Sequence, residues 1–193
     1  MYNNVQSTSL VLEFAKEVSA MVVYSSSSSV VGNGAGPESP YALQKYTTEL
    51  ETSIYSRLYG LDTVSLRYFN VYGINEDHKL NMASPVHNFY SQIKKNKVCK
   101  IFDKYDGYQA GGHKRDFVSV DDCVNINLWF LKKKNFKKNI LNVGSGKSVT
   151  FGSVASKIIN ELKYGKIIII KFPTKLKKGY QSYTKSNLKE LRK

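Results

Sequence analysis

Short aliphatic runs recur along the chain with an amphipathic stretch between most pairs, and this alternation limits the possible folds more than any other feature. A helix is expected over 7–18, where Leu10, Phe14 and Val18 share a face and Ser7 or Ser9 supplies the cap. Met21–Tyr24 reads as a short buried strand running into a serine run, and 33–40 as a loop. A helix follows from about Tyr41 to Leu58, with Pro40 at its entrance and Gly60 just past its end. Thr63–Phe69 alternates as a strand, 73–81 is polar loop, and a helix is expected near 85–96. Val98–Phe102 is a strand, a glycine-rich loop runs to Gly112, and Asp116–Val120 is another strand. Asp121 and Asp122 cap a helix to about Leu131, with Val124, Leu128 and Leu131 on one face. Asn139–Val143 is a strand ending in GSG, 151–162 a helix, Lys166–Phe172 a strand, and 184–192 a last helix. Such an order calls for an α/β fold with a mainly parallel sheet.

Composition narrows the function classes. The chain has 193 residues, enough for one domain with a real core. Its longest aliphatic run is the four isoleucines 167–170, far short of the roughly 20 residues of a membrane helix. Cys99 and Cys123 make no CxxC pair and read as reduced, buried thiols. The net charge is +14, but it is lopsided: acidic side chains outnumber basic ones before residue 94, and the excess lies after it. Lysine dominates, arginine being confined to Arg57, Arg67, Arg115 and Arg192, whereas base readout favours the bidentate guanidinium. The runs Lys132–Lys134 and Lys175–Lys178 are therefore expected to be solvated surface, and no specific nucleic-acid partner is expected.

The phosphate-binding signatures are missing. GNGAG at 32–36 is not G-x-G-x-x-G and opens no helix. GSGKS at 144–148 falls short of a Walker loop, because its first glycine would have to be Leu141; it reads as a strand-to-helix turn.

Candidate chemistry begins with Tyr41 and Lys45, four apart on one helical face. An ammonium beside a phenol favours the phenolate and draws its pKa down from about 10, making a general base for a sugar hydroxyl. Spacing alone decides nothing: at this composition about two Tyr-x-x-x-Lys pairs arise by chance, and Tyr90 with Lys94 is a second. Context favours the first pair. It follows a strand that ends in Ser25–Ser29, and open α/β sheets bind ligands at strand carboxyl ends. A serine hydroxyl there can bond both the tyrosine oxygen and a substrate oxygen.

With these residues in view, the chain resembles the extended short-chain dehydrogenase/reductase superfamily of NAD(P)-dependent sugar-nucleotide epimerases and dehydratases. The resemblance rests on VVYSSSSSVVG (22–32), SPYALQK (39–45), LRYFNVYG (66–73), KRDFVSVDD (114–122) and NVGSG (142–146), in that order. It is closer to the ADP-heptose 6-epimerase branch through NNVQSTSLVLEFA (3–15), DHKLNMAS (77–84), FDKYDGYQAGGHKRDF (102–117), NINLWFL (125–131) and FPTKLKKGYQSYTKSNL (172–188).

The resemblance implies a partial Rossmann-like, doubly wound parallel sheet plus a smaller α/β substrate-binding domain. Residues 1–73 would be the later part of the NAD(P)-binding Rossmann domain, and 74–193 mainly substrate-binding, with 116–150 returning to the Rossmann sheet. It implies Tyr41, Lys45 and Ser27 (or a serine one place away) as a catalytic triad and Lys79 as a second acid/base. Asn3, Lys45, Val71 and Lys79 would contact NADP or NAD. Asn70, Asn81, Asn88 (or His87, one register away), Phe102, Arg115 and Tyr180 would contact an ADP-sugar, with no metal. Two proton carriers suit inversion through a ketone, since one is wanted on each face. The implied setting is a cytoplasmic isomerase of lipopolysaccharide inner-core synthesis, homo-oligomeric, with no membrane partner.

The same resemblance implies that about 90 residues, including the Gly-rich turn, and a C-terminal end lie outside this chain. Poor stability and impaired activity are therefore expected of it alone. Ile74 replaces the family's proline, and SP precedes the tyrosine as in hexose 4-epimerases. This keeps a UDP-hexose type epimerase or dehydratase open, as well as a non-catalytic basic remnant. The bland readings are a solvated Lys79, a surface pair of Arg115 with Asp116, and a strand end at Asn70.

Overall fold

A computed structural model of the chain describes residues 2–32, 34–132 and 139–191, apart from the side chains of Tyr2 and Asn81. In chain order the elements are α1 (Ser7–Glu17), β1 (Val22–Ser27), α2 (Pro40–Tyr59), β2 (Thr63–Tyr68), β3 (Asn70–Tyr72), α3 (Pro85–Asn96) and β4 (Val98–Phe102). They continue as β5 (Lys114–Ser119), α4 (Val120–Lys132), β6 (Ile140–Val143), β7 (Ser148–Thr150), α5 (Phe151–Leu162), β8 (Lys166–Ile170) and α6 (Thr174–Lys177). Two units result, the first from the described residues of 1–69, 121–143 and 186–193, the second from 70–120 and 144–185.

In the first unit β1, β2 and β6 form a parallel sheet, with Val22 opposite Thr63 and Ser65 opposite Ile140. Helix α2 connects β1 to β2 as a crossover, and its limits have local causes. Ser39 Oγ accepts the Ala42 N–H, Pro40 fills the first turn, and Gly60 closes the end at φ +66°. The side of α2 facing the sheet is polar: Thr48, Glu49 and Thr52 are buried, while Leu43, Leu50, Ile54 and Leu58 are exposed. Glu49 supplies the reason. Its carboxylate takes a short hydrogen bond from Ser26 Oγ and a bidentate pair from Arg67, at 2.8 Å from Nε and 2.5 Å from Nη2. This joins α2 to both β1 and β2.

The second unit holds β3–β5 parallel (Asn70 opposite Phe117), β5–β7 antiparallel (Lys114 opposite Thr150) and β4–β8 parallel (Val98 opposite Lys166). Its core gathers Phe89 and Ile93 of α3, Cys99 and Ile101 of β4, and Ala155 of α5. Fully burying a side chain such as Ile93 contributes about 1.5–3 kcal/mol. Gly111 and Gly152 let the loop before β5 touch the first turn of α5, the Gly152 N–H donating to the Gly111 carbonyl at 2.9 Å; a Cβ on Gly111 would stand 2.6 Å from Ile101 Cδ1.

The α/β class and parallel pairing agree with the alternation of the sequence, but several local expectations fail. Leu10, Phe14 and Val18 do share a face, yet they are exposed, and Leu12 and Ala15 are buried instead. Ser7 and Ser9 do not cap α1; a π-helical turn, Tyr2–Gln6, precedes it, and their hydroxyls bond the carbonyls of Asn3 and Val5. β1 starts at Val22 and extends through Ser27, so the first three serines of the run belong to the strand. In α4, Val124, Leu128 and Leu131 are exposed while Cys123 and Phe130 are buried, and Asp121 and Asp122 lie in its first turn. No helix forms over the described part of 184–192; three-residue β3 and β7 and the single turn α6 were not expected.

Lys132, Lys175 and Lys178 are exposed; Lys133 and Lys134 lie outside the described residues. Cys99 and Cys123 are free and buried, and burial pushes both thiols up to about 11. Among the described residues no helix is long and apolar enough to cross a membrane.

Candidate active site

In the first unit the site residues gather at the carboxyl end of β1. Strand alternation exposes Ser25, buries Ser26 against Glu49, and leaves Ser27 half-buried. Ser27 is the cap of a 3-10 turn, Ser28–Val30: its Oγ accepts the Ser29 N–H at 3.2 Å and lies 2.9 Å from Ser29 Oγ. Tyr41 stands in the first turn of α2, 49% exposed. Lys45, one turn on, donates from Nζ to the Ser25 carbonyl at 2.8 Å. Its ammonium lies 4.9 Å from the Tyr24 ring centre and 5.9 Å from that of Tyr41. Burial draws the Lys45 amine below its ordinary range. An ammonium has three donors, and the Ser25 carbonyl takes one of them. Asn3 is exposed on the π-helical turn, where its carbonyl accepts from Ser7 Oγ at 2.8 Å.

The second unit encloses a cavity of about 580 Å³, within the range of small-molecule sites. Asn70, Asn88, Phe102, Arg115 and Tyr180, drawn from β3, α3, β4, β5 and the segment after α6, all line it. Arg115 is 9% exposed, with its guanidinium 5.1 Å from the Tyr180 ring centre and 5.5 Å from that of Phe151. Burial lowers its pKa and the adjoining Tyr180 oxygen offsets part of this; burial likewise raises the Tyr180 phenol, which Arg115 partly offsets. Among the described residues no carboxylate forms an ion pair with Arg115. A buried guanidinium without a counter-ion is costly unless an anion joins it. Asn70 Nδ2 donates to the Asp116 carbonyl at 3.0 Å and to Thr184 Oγ1 at 3.2 Å; Asn88 Nδ2 donates to the Ala83 carbonyl at 2.9 Å.

His87 points elsewhere, 3.4 Å from Asp77 Oδ1, and lines a smaller hollow with Tyr90. Arg115 and Asp116 are not a surface pair, because alternation sends them to opposite faces of β5. Asp116 is fully buried; Oδ1 accepts the Ser145 N–H and Oγ at 2.7 Å, and Oδ2 the Gly146 N–H at 3.0 Å. The amides of the GSG turn thus already hold an anion from their own chain, which removes the phosphate-loop reading. Asn70 does not end β2 but begins β3.

Val71 is the middle of β3, and a 3-10 segment, Asp77–Met82, carries Lys79. Lys79 is 44% exposed, with Nζ 3.8 Å from Glu76 Oε2, so it is not simply solvated. Leu80 adopts φ +48°, ψ −122°, a strained conformation for a branched side chain, costing about 1–3 kcal/mol. Asn81 lies in the same segment, its side chain outside the described part. Among the described residues no group of three or more His, Cys, Asp or Glu is placed to hold a metal.

The sequence reading passed over His113, Phe151, Gln92 and Lys100, which also line the cavity, and Tyr105 and Phe172 behind it. His113 is buried at 1% exposure with Nε2 3.0 Å from the Tyr105 carbonyl. Burial, aided by Arg115, lowers its pKa and favours the neutral ring. An HKRD run beside KRDF was the only sequence hint of its place on the cavity wall.

A parallel sheet crossed by α2, with strands and helices alternating along the chain, places it in the Rossmann-like α/β class. Residues 1–144 match the NAD dependent epimerase/dehydratase family, and the chain belongs to that family. It is 37% identical over 201 residues to the ADP-L-glycero-D-manno-heptose-6-epimerase of Alkalilimnicola ehrlichii, covering 100% of this chain and 62% of that relative. The chain therefore spans just over three fifths of that relative's length. Among solved structures, UDP-N-acetylglucosamine 4-epimerase from Methanobrevibacter ruminantium M1, in complex with UDP-N-acetylmuramic acid, is similar at TM-score 0.86 and 26% identity, over 99% of this chain and 62% of that one. Helicobacter pylori ADP-L-glycero-D-manno-heptose-6-epimerase is similar at TM-score 0.76 and 29% identity, over 87% and 54%.

Proposed function

We propose that the chain serves an ADP-L-glycero-D-manno-heptose 6-epimerase, inverting C6″ of an ADP-heptose with NADP or NAD as cofactor. The observation that carries this reading is the cavity in which Asn70, Asn88, Phe102 and Tyr180 surround the buried, unpaired Arg115. A diphosphate supplies the missing counter-charge, and a guanidinium fork suits its oxygens. Similarity to heptose epimerases at 34–37% identity supports the choice of sugar. In this setting the product would feed lipopolysaccharide inner-core synthesis in the cytoplasm.

The cofactor, when bound, supplies reversible hydride acceptance. Lys45 would hold its ribose, with Asn3, Val71 and Lys79 as further contacts. Ser27 holds the sugar oxygen by its hydroxyl. Tyr41 removes and returns the hydroxyl proton. Lys79 is the second proton carrier that inversion requires. The alternative of a UDP-hexose 4-epimerase is favoured by the Ser39-Pro40 pair before Tyr41 and by the higher TM-score of the UDP-N-acetylglucosamine 4-epimerase.

The reading predicts that Arg115→Ala weakens ADP-heptose binding by about 10- to 100-fold in calorimetry, the worth of a charge-assisted hydrogen bond or two. An unchanged dissociation constant would remove the diphosphate from this cavity. Assembly as a homo-oligomer belongs to the same reading. Leu10, Val11 and Phe14 of α1 and Leu43, Leu50 and Ile54 of α2 expose apolar surface on two helices that pack together, which suits a second copy. Light scattering is expected to show a dimer that Leu50→Asp turns into a monomer; a monomeric parent chain would refute this.

A further inference from the structure

Glu76 is 3% exposed, and its bonds reach both ends of the Lys79 segment and Lys79 itself. Oε1 accepts the Gly73 N–H at 3.1 Å, where β3 ends, and Ser84 Oγ at 2.8 Å, where α3 begins. Oε2 accepts the Ser84 N–H at 2.7 Å and lies 3.8 Å from Lys79 Nζ. The Glu76 carbonyl accepts the Lys79 N–H at 2.9 Å. Lys79 is thus held at its backbone and at its charge by one residue, and that residue also fixes both ends of the segment. The unusual backbone at Leu80, directly after Lys79, lies within this tied loop. A buried carboxylate with three hydrogen bonds and a cation is well satisfied, which suits it to hold a geometry rather than to move protons.

We propose that Glu76 is the positioning residue for Lys79, fixing the direction of its ammonium and the loop that carries it. The proposal rests on the reading of Lys79 as the second proton carrier. Its effect on turnover comes from misplacement: a shift of about 1 Å in a reacting group can cost about 100-fold.

The test compares Glu76→Gln, Lys79→Ala and the double variant in ADP-heptose turnover, with trace acetylation of Lys79 by acetic anhydride read by mass spectrometry. Glu76→Gln is expected to lower kcat by about 10- to 100-fold with KM within about twofold, and Glu76→Asp to recover part of the loss. In the Lys79→Ala background Glu76→Gln should add less than about twofold, because both changes disable one device. Acetylation of Lys79 should quicken in Glu76→Gln relative to that of Lys94. Additive losses, or an unchanged acetylation rate, would overturn the proposal alone. Undiminished kcat in Lys79→Ala would overturn the parent reading and the proposal with it. Should Glu76→Gln melt below the assay temperature, Ser84→Ala replaces it. That change removes one donor to Oε1, should lower kcat by about threefold, and should have no effect without Lys79; an equal effect in both backgrounds overturns the proposal.

Discussion

Tyr41→Phe is expected to lower kcat for ADP-heptose by about 1,000-fold while leaving KM within about twofold. The substitution removes one oxygen from a half-exposed ring, so the fold is untouched. General acid–base groups contribute about 10²–10⁴-fold, and a phenol acting on a hydroxyl proton makes its difference in the transition state, not in binding. Tyr90→Phe is the control. Lys94 lies 5.8 Å from the Tyr90 ring centre, nearly the 5.9 Å of Lys45 from Tyr41. The two pairs share spacing and distance but not placement: Lys45 reaches the end of β1 through the Ser25 carbonyl, while Tyr90 borders a separate hollow on α3. Steady-state kinetics on both variants decide the matter. Equal losses, or none in Tyr41→Phe, would sink the assignment.

Glu49→Ala should be the most destabilising single substitution near the site, lowering Tm by about 6–12 °C. Glu49 is fully buried and holds Ser26 on β1 and Arg67 on β2 to α2. Removing one partner of a buried pair costs about 3–5 kcal/mol, because the other charge is left unsolvated. The lower end applies here, since the Arg67 side chain keeps 21% exposure and can partly rehydrate. At about 2–4 °C per kcal/mol for a chain of this size, the shift follows. Lys45 sits one helical turn before Glu49, so the same clamp sets the register of Tyr41 and Lys45 against β1. A thermal melt showing less than about 2 °C of change would mean that α2 is held by something else.

What could be read from the sequence was what local chemistry controls. Ser39, Pro40 and Gly60 mark the ends of α2 by capping and φ requirements, and the structure obeys them. The apolar stripes of α1 and α4 have the right period, but period does not say which face meets the core. In α2 a polar face is buried because Glu49 finds Ser26 and Arg67, a match visible only after folding. Ser25–Ser29 carries no alternation to read, since identical residues hide which one faces inward. The tail beyond 184 has helical composition, yet Thr184 bonds Lys114, Asp116 and Asn70, and these contacts hold it extended. Five cavity residues, Asn70, Asn88, Phe102, Arg115 and Tyr180, were found because motif order names them. His113 and Phe151 were not, because their place on the cavity wall depends on separate elements meeting in one unit, and Glu76 was not, because no motif marks the carboxylate that ties its loop.

The measurement that tests the central claim most directly is proton NMR of an ADP-heptose incubated with this protein and NADP. The account predicts inversion at C6″ toward an equilibrium of both epimers, slow for this chain alone because impaired activity is expected of it, with no net accumulation of reduced cofactor. An unchanged ADP-heptose spectrum, together with C4 inversion of a UDP-hexose under the same conditions, would contradict it and assign the site to the other sugar class.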